Sequence, residues 1–260
     1  MEVVILKTYD EMSKAAARVV ADVVRHKPSM VLGLATGSSP VGLYKELARM
    51  HREEGLDFSH VTTFNLDEYV GLPGDHPQSY RFFMNENLFK HINIPPQNTH
   101  VPSGTSANHR AFCEWYEQRI RECGGIDVQV LGIGSDGHIA FNEPGSSLGS
   151  RTRMVTLTEQ TIDDNARFFK DKADVPRHAI SMGVGTILEA RKLVMVASGK
   201  NKAEALAAAV EGPVTSMITA SALQLHPDAT VFTDAEAAGG LKLRDYYEWI
   251  QKEAKRLPRQ

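Results

Sequence analysis

Residues 131–145, LGIGSDGHIAFNEPG, place two carboxylic acids and a histidine in one short loop directly after an apolar segment. That segment, IDVQVL at 126–131, is short, rich in apolar residues and followed by glycines, which predicts a buried strand. In an α/β sheet, ligands bind at the loops that leave the carboxyl ends of the strands. We therefore expect Asp136, His138 and Glu143 to take part in acid–base chemistry rather than in packing.

Outward from this loop, strand-like and helix-like segments alternate along the chain. The predicted strands cover residues 3–6, 30–35, 61–66, 126–131, 152–158, 178–182, 192–198 and 229–233. The predicted helices cover 10–27 (capped by Asp10), 41–54, 79–90, 107–123, 159–169 and 241–256, and a loop is predicted at 67–77. This alternation favours an α/β fold, in which helices cover both faces of a parallel sheet.

The chain, residues 1–260, is predicted to form a single domain, because no repeat or long linker interrupts the alternation. The pattern is least regular at roughly 152–182, where we expect a mobile lid. The formal net charge of −3 gives no reason to expect nucleic acid as a partner, so any anionic substrate has to be held by local groups. No stretch approaches the roughly 20 apolar residues of a membrane span, and no signal peptide is expected.

The two cysteines bear on the cellular compartment. Cys113 and Cys123 lie in one predicted helix, which separates them by about 15 Å. A disulfide requires Cα atoms within about 7 Å. We expect both thiols to be reduced, which fits a cytoplasmic protein.

A second loop with chemistry is Thr36-Gly37-Ser38-Ser39-Pro40, between a predicted strand and a predicted helix. Small residues let backbone N–H groups approach an anion, and the helix N-terminus adds a favourable partial charge. The loop lacks the lysine and second glycine of a P-loop, and no dinucleotide motif is present, so a sugar phosphate fits better than a nucleotide. A tight turn capped by Ser or Thr explains the same residues equally well.

Asp67 and Glu68 follow the predicted strand 61–66. Adjacent side chains of this kind point in different directions, so at most one is expected to face a ligand. A carboxylate in a partly dry cleft has a raised pKa, which suits proton abstraction. A solvated acidic pair at the start of a loop is the alternative interpretation.

The loop with Asp136, His138 and Glu143 has alternatives as well. An imidazole between two carboxylates has a defined tautomer and a raised pKa, as an acid–base group requires. The three residues could instead bind a metal, but no second histidine follows at i+4 and no cysteine is near, so no metal site is predicted. A purely structural role for the loop is not expected, because its three titratable groups have no evident part in packing.

Two basic residues could bind a phosphate group. Arg167 lies in the expected lid beside Phe168 and Phe169, and Lys202 lies near a predicted helix start. Arginine would bind phosphate through its planar guanidinium and lysine as a point charge. For either residue alone, a solvated surface charge is the alternative.

Together these segments resemble the glucosamine-6-phosphate deaminases of the glucosamine/galactosamine-6-phosphate isomerase family. The matching stretches are LGLATGSSPVGLYKEL (32–47), TFNLDEYVGLPGDHPQSY (63–80), GIGSDGHIAFNEPGSSLGSRTR (132–153), ARFF (166–169), GVGTILEA (183–190) and AVEGPV…LQLHP (209–227). The 6-phosphogluconolactonases, on the same fold, share the phosphate-binding turn and a related glycine-rich loop. They are not expected to carry NLDEY and HIAFNEP together.

The resemblance implies a Rossmann-like sheet with a lid, no metal or organic cofactor, and conversion of glucosamine 6-phosphate and water to fructose 6-phosphate and ammonia. It assigns sugar ring opening to His138, oriented by Asp136 and Glu143. It assigns Asp67 as the base that takes the C2 proton and returns one to C1, after which hydrolysis of a ketose imine releases ammonia. The phosphate-holding positions of the family are matched by Thr36, Gly37, Ser38, Ser39, Arg167 and Lys202.

The resemblance also bears on regulation. Some family members are hexamers, which leaves a homo-oligomer open here, and bind the activator N-acetylglucosamine 6-phosphate through a Ser, an Arg, a Lys and the N-terminus. Ser146 and Arg153 match that set, but Val155 replaces the expected Lys and Glu2 replaces a basic residue. A lost cation and an added carboxylate weaken anion binding, so we expect no strong allosteric activation.

Two other functions compete with the deaminase interpretation. A 6-phosphogluconolactonase-like sugar-phosphate hydrolase on the same fold would release no ammonia. A non-catalytic sugar-phosphate sensor would need an added DNA-binding or interaction segment, and the sequence offers neither a basic stripe nor spare length for one.

Overall fold

The structure, a computed structural model, describes residues 1–254 and residue 256 of the chain. The strands are β1 (Glu2–Leu6), β2 (Val31–Leu34), β3 (Thr62–Asn65), β4 (Asp67–Tyr69), β5 (Thr99–His100), β6 (Val128–Leu131), β7 (Arg153–Thr156), β8 (His178–Ser181), β9 (Lys192–Ala197) and β10 (Ala229–Asp234). The α-helices are α1 (Tyr9–His26), α2 (Val41–Glu54), α3 (Tyr80–Asn87), α4 (His109–Glu122), α5 (Glu159–Ala166), α6 (Val184–Leu188), α7 (Ala203–Glu211) and α8 (Arg244–Ala254).

Seven strands form one sheet in the order β1-β10-β9-β6-β2-β3-β5, and every neighbouring pair is parallel. From β2 the chain continues to β3 on one side of the sheet, and β6 later pairs with β2 on the other side. The order of strands therefore reverses between β2 and β6. Ligands bind at the carboxyl ends of the strands at such a reversal.

Both faces of this sheet are covered, which confirms the predicted α/β fold. In β9, Leu193 and Met195 join one hydrophobic core, whereas Val194 and Val196 join the other. Helices α1 and α2 pack on the second core, and α4, α6 and α7 pack on the first. Strands buried on both faces read as continuous apolar runs, which is why the sequence identified them.

A second, antiparallel sheet in the order β4-β8-β7 was not predicted. Ser181 in the central strand pairs with Asp67 on one side and with Arg153 on the other. The expected lid, 152–182, thus begins and ends in strands of this sheet, and α5 lies between them. The mobility of the lid stays a prediction.

Several predicted boundaries are wrong. Helix α1 is capped by Thr8, whose Oγ1 accepts a hydrogen bond from the backbone N–H of Glu11 at 3.2 Å, and Asp10 lies inside the helix. Residues 67–69 form β4, although a loop was predicted from residue 67 onward. The predicted helix 79–90 ends at Asn87 and is followed by a short 3-10 helix.

The last predicted helix, 241–256, begins only at Arg244 and is observed as far as Ala254; residue 255 lies outside the described residues. Cys113 and Cys123 are both free thiols, as predicted. In the described part of the chain, no helix combines the length and apolar character that crossing a membrane requires.

Candidate active site

Loops at the carboxyl ends of four adjacent strands, β9, β6, β2 and β3, line one cavity of about 600 Å³. Residues of the predicted site that line it are Thr36, Gly37, Ser38, Ser39, Asp67, His138, Arg167 and Lys202. Asp136 and Glu143 are not part of the lining but contact His138. The fold therefore brings the three predicted loops to a single place.

The turn between β2 and α2 is built to approach an anion. Gly37 has a φ of 99°, a left-handed conformation that favours glycine. The Tyr9 hydroxyl fixes the turn, because it donates to the carbonyl of Ser38 at 3.0 Å and accepts from the N–H of Gly42 at 2.7 Å. Pro40, at the N-cap position, has no side-chain group that could accept from the first N–H groups of α2. The N–H groups of Val41 and Gly42 already donate to Ser38 and Tyr9, so the N–H groups of the 36–39 turn, just before α2, are the ones that can bind a phosphate.

Lys202 reaches the cavity from the segment between β9 and α7. The preceding turn is fixed by Asp234, whose carboxylate accepts from the N–H groups of Gly199 at 3.1 Å and Ala237 at 2.8 Å. Burial lowers the pKa of Lys202, and the nearby Asp164 carboxylate acts in the opposite direction. Lys202 is thus a partly desolvated cation at the cavity wall, which strengthens its attraction for a phosphate.

Arg167 reaches the cavity from the expected lid, directly after the end of α5. Its guanidinium carbon lies 4.7 Å from the centre of the Phe168 ring, and both side chains are exposed. The guanidinium stacks on the aromatic ring, and a planar guanidinium held in this way can bind an anion along its edge.

Asp67 and Glu68 have different environments, as predicted, although neither is solvated. Glu68 is buried and accepts hydrogen bonds from Ser79 Oγ at 2.9 Å and from the N–H groups of Tyr80 at 2.9 Å and Arg81 at 3.0 Å. It therefore caps the start of α3. Asp67 lines the cavity instead.

The Asp67 carboxylate has the properties of a general base. Its residue is only 5% exposed, and within residues 1–254 and 256 no hydrogen-bond donor to its side chain is found. Burial, together with the negative charge of Glu68, raises the pKa of Asp67 to about 8, against the opposing effect of His138. A carboxylate with such a high proton affinity can take a proton from carbon more readily than a solvated one.

His138 is held by both carboxylates of its loop. Its Nδ1 lies 2.7 Å from Asp136 Oδ1 and 3.5 Å from Glu143 Oε2. With a protonated ring, both contacts are ion pairs. Burial alone would lower the pKa of His138, but the two carboxylates outweigh burial and raise the pKa to about 9.

The ring of His138 packs directly over Gly134. A Cβ atom at this glycine would lie 2.5 Å from the ring carbon Cε1, which no side chain could tolerate. The glycine therefore makes room for the imidazole. Because Nδ1 faces the carboxylates, Nε2 is the ring nitrogen available for proton exchange with a substrate.

The cavity and its acid–base groups agree with comparisons against known proteins. A family model described as glucosamine-6-phosphate isomerases/6-phosphogluconolactonase matches residues 7–232. The chain belongs to this family. A glucosamine-6-phosphate deaminase from Thermoanaerobacter pseudethanolicus is 52% identical over 248 residues, which cover 95% of this chain and 98% of that protein.

Solved structures of the family support the same fold. A monomeric glucosamine-6-phosphate deaminase is 48% identical, has a TM-score of 0.91 and covers 92% of this chain and 100% of its own. The 6-phosphogluconolactonase from Trypanosoma brucei has a TM-score of 0.73, covers 92% of this chain and 98% of its own, and is 22% identical. The similarity to the lactonase shows the fold alone.

Sequence reasoning missed several residues that line the cavity, or contact the residues around it, in this member of the family. Tyr80 lines the wall, with its ring centre 6.0 Å from that of Phe141. Ser135 Oγ donates to Asp164 Oδ2 at 2.8 Å, which links the loop at 131–145 to α5 of the expected lid. The N–H of Thr158, also from the lid, donates to Glu143 at 3.2 Å. No local motif marks these contacts, because each one joins segments that are distant in sequence.

The loop with Asp136, His138 and Glu143 has some of the features of a metal site. Ligand atoms of Asp136, His138 and Glu143 lie within 4.8 Å of one another. A metal needs a neutral imidazole, whereas the carboxylates favour the protonated ring. The absence of a metal requirement stays a prediction.

Ser146 and Arg153 lie together but outside the cavity lining. The guanidinium of Arg153 donates to Ser146 Oγ at 3.2 Å and to Asn142 Oδ1 at 2.9 Å. Val155 packs against the hydrophobic cluster around Tyr69, and Glu2 is exposed at the start of β1. The two residues of the family's activator set that the chain shares are therefore adjacent.

Proposed function

We propose that this chain is a glucosamine-6-phosphate deaminase, an enzyme that converts glucosamine 6-phosphate and water to fructose 6-phosphate and ammonia. The observation that carries the proposal is the placement of Asp67, His138 and the Thr36–Ser39 turn around one cavity. The reaction needs an anion site, an acid–base group for ring opening and a base for the C2 proton. Relatives about half identical to this chain carry the name of this enzyme.

The phosphate group of the substrate is held by the N–H groups of the 36–39 turn, by Lys202 and by Arg167. Small residues in the turn permit close backbone approach, and the two cations neutralise the dianion. With the phosphate fixed, the sugar extends toward Asp67 and His138. This arrangement supports the assignment of the six phosphate-holding positions.

Ring opening is the first chemical step, because C2 becomes acidic only beside a free carbonyl. His138 Nε2 donates a proton to the ring oxygen as the bond between C1 and the ring oxygen breaks. The hydroxyl at C1 then gives its proton to Nε2, so the imidazole ends this step protonated again. Asp136 and Glu143 stabilise the protonated imidazole before the first of these transfers.

Asp67 then takes the proton from C2, the electrons of that bond form a double bond between C1 and C2, and the aldehyde oxygen takes a proton from His138. Protonated Asp67 returns its proton to C1 while the amino nitrogen gives a proton to His138, which leaves an imine at C2. Water adds to C2 and the carbon–nitrogen bond breaks, which yields fructose 6-phosphate and ammonia. No redox cofactor is needed, since the carbons exchange oxidation states internally.

The proposal is tested by incubating the purified protein with glucosamine 6-phosphate and measuring ammonia and fructose 6-phosphate. Equal amounts of both products are expected, with undiminished rates after treatment with a chelator. Absence of ammonia from folded protein, together with hydrolysis of 6-phosphogluconolactone, would favour the hydrolase alternative.

We propose further that N-acetylglucosamine 6-phosphate does not strongly activate this enzyme. Ser146 and Arg153 are present, but Val155 supplies no charge and Glu2 adds a negative one. Hyperbolic kinetics are therefore expected, unchanged by the acetylated sugar phosphate. A sigmoidal curve that becomes hyperbolic on its addition would contradict this proposal.

Location and assembly follow from less specific observations. The free thiols of Cys113 and Cys123 fit a cytoplasmic protein, which is the location that we propose. Hexameric family members suggest a homo-oligomer, whereas the solved deaminase similar to this chain is monomeric. Light scattering on the purified protein distinguishes the two assemblies. Glucosamine 6-phosphate is the partner that we propose, with no nucleic acid or membrane.

A further inference from the structure

The loop at 131–145 contains a strained turn between two of its proposed acid–base residues, His138 and Glu143. Ala140 has a φ of 51° and is the one non-glycine residue with positive φ in the described part of the chain. It lies between Ile139 and Asn142, which pair as an isolated antiparallel bridge. His138 precedes this turn and Glu143 follows it. A strained backbone conformation of this kind persists only where the surroundings hold it in place.

One side chain from a distant segment spans the turn. Thr219 Oγ1 accepts a hydrogen bond from the N–H of Ile139 at 3.2 Å and donates one to the carbonyl of Asn142 at 2.8 Å. The residue is 1% exposed, so water does not compete for these bonds. A single hydroxyl therefore joins both ends of the turn.

The segment around Thr219 makes backbone hydrogen bonds to the loop on either side of this contact. The N–H of Ala220 donates to the carbonyl of Gly137 at 3.0 Å, and the N–H of Gly145 donates to the carbonyl of Ser216 at 2.9 Å. These are backbone contacts that survive a change of side chain. The hydroxyl of Thr219 is the contact that a substitution can remove selectively.

We propose that Thr219 is a positioning residue for the reaction, which holds the turn from Ile139 to Asn142 so that His138 and Glu143 stay in contact beside the cavity. The inference rests on the proposed deaminase function and deepens it. Thr219 does not line the cavity, so it acts through the loop and not on the substrate.

Without the hydroxyl, the turn keeps the hydrogen bond from the Asn142 N–H to the Ile139 carbonyl at 3.1 Å. The N–H of Ile139 and the carbonyl of Asn142, however, lose their buried partner. We expect the backbone to shift to satisfy them, which changes the separation between His138 and Glu143. The ring would lose one of the two carboxylates that favour its protonated form. The phosphate-binding turn and Lys202 belong to other segments and would not move.

Three variants test the proposal. Thr219→Val has nearly the same shape but no hydroxyl, and Thr219→Ser retains the hydroxyl. Thr63→Val is the matched control, because Thr63 is 1% exposed and its hydroxyl has no partner among the described residues. We expect Thr219→Val to lower kcat about tenfold or more with KM changed by less than about threefold, because misplacement of acid–base groups affects chemistry more than binding.

Thr219→Ser should restore most of kcat, and Thr63→Val should behave like the wild type. Melting temperatures of all three variants show whether any loss reflects unfolding. Wild-type kcat in a folded Thr219→Val variant, or loss of activity that Thr219→Ser does not restore, would overturn the proposal.

A second measurement needs no turnover. The charged groups facing His138 are Asp136 and Glu143 from its own loop and Asp67 from β4. Titration of the His138 ring followed by NMR should give a lower pKa in Thr219→Val than in the wild type, since Glu143 is displaced. An unchanged titration would contradict the role of Thr219. If the wild type releases no ammonia, the proposed function fails, and this titration still tests the positioning role.

Discussion

At the scale of the residue, two groups with opposite requirements share one cavity. Asp67 must lose its proton to act as a base, and His138 must hold its proton to act as an acid. Burial beside Glu68 raises the pKa of Asp67 to about 8, and the carboxylates of Asp136 and Glu143 raise that of His138 to about 9. Ionised Asp67 and protonated His138 therefore coexist only in a narrow range of pH.

The first prediction is a bell-shaped dependence of kcat/KM on pH. The rate should rise as Asp67 ionises and fall as His138 loses its proton. Glu143→Gln removes one carboxylate from His138, so its pKa falls and the alkaline limb should move to lower pH. An alkaline limb that stays in place in this variant would show that His138 does not set it.

The second prediction concerns stability. The ordinary pKa of aspartate is about 4, so as pH rises from there toward 8 the unfolded chain loses a proton that folded Asp67 retains. Folding stability is therefore lost over this window, and Asp67→Asn avoids the loss. Between about pH 5 and pH 8, the free energy of unfolding of the variant should increase by about 1 kcal/mol or more relative to that of the wild type. Urea unfolding measures this difference. If the difference in unfolding free energy between the variant and the wild type did not change with pH, the raised pKa of buried Asp67 would be contradicted.

At the scale of the element, the loops at the strand ends hold the site, and this is where the sequence was most informative. Strands β2, β6 and β9 are buried and mostly apolar, and β3 is rich in β-branched and aromatic residues, so their ends and the loops that follow could be located. Strand β4 could not, because its three residues include two acids and its structure depends on pairing with β8. The start of α1 was misplaced because Thr8 and Asp10 are both good caps.

Contacts between distant segments could not be predicted either. Ser135 meets Asp164, and Ile139 meets Thr219, only because the fold brings a lid helix and a later loop to the same strand end. Local residue patterns carry no information about such pairs. The proposed acid–base residues could be located because each lies in a segment that follows a predicted strand.

The third prediction separates two lysines of the same 3-10 helix, Lys200–Lys202. Lys202 lines the cavity, whereas Lys200 is exposed and is not among the lining residues. Lys202→Ala should raise KM about tenfold or more with a smaller effect on kcat, since a charge-assisted contact with phosphate is lost. Lys200→Ala should leave KM unchanged. If both variants had the same KM, Lys202 would not bind the phosphate and would be an ordinary surface charge.

At the scale of the whole molecule, the reversal of strand order between β2 and β6 explains why a single cavity contains all the chemistry. The proposed phosphate-binding turn follows β2, the proposed base Asp67 follows β3, His138 follows β6, and Lys202 follows β9. These four strands are neighbours, although their loops span most of the chain. The parallel sheet thus turns four separate strand ends into one site.

The measurement that tests this account most directly is ammonia release by the wild type and by Asp67→Asn, together with their affinities for glucosamine 6-phosphate. The wild type should release ammonia and fructose 6-phosphate in equal amounts. The variant should bind the substrate within about threefold of the wild type and lose most of its turnover, since only proton transfer is removed. Near-normal turnover by Asp67→Asn would contradict the assignment of the base, and no ammonia from the wild type would contradict the proposed function.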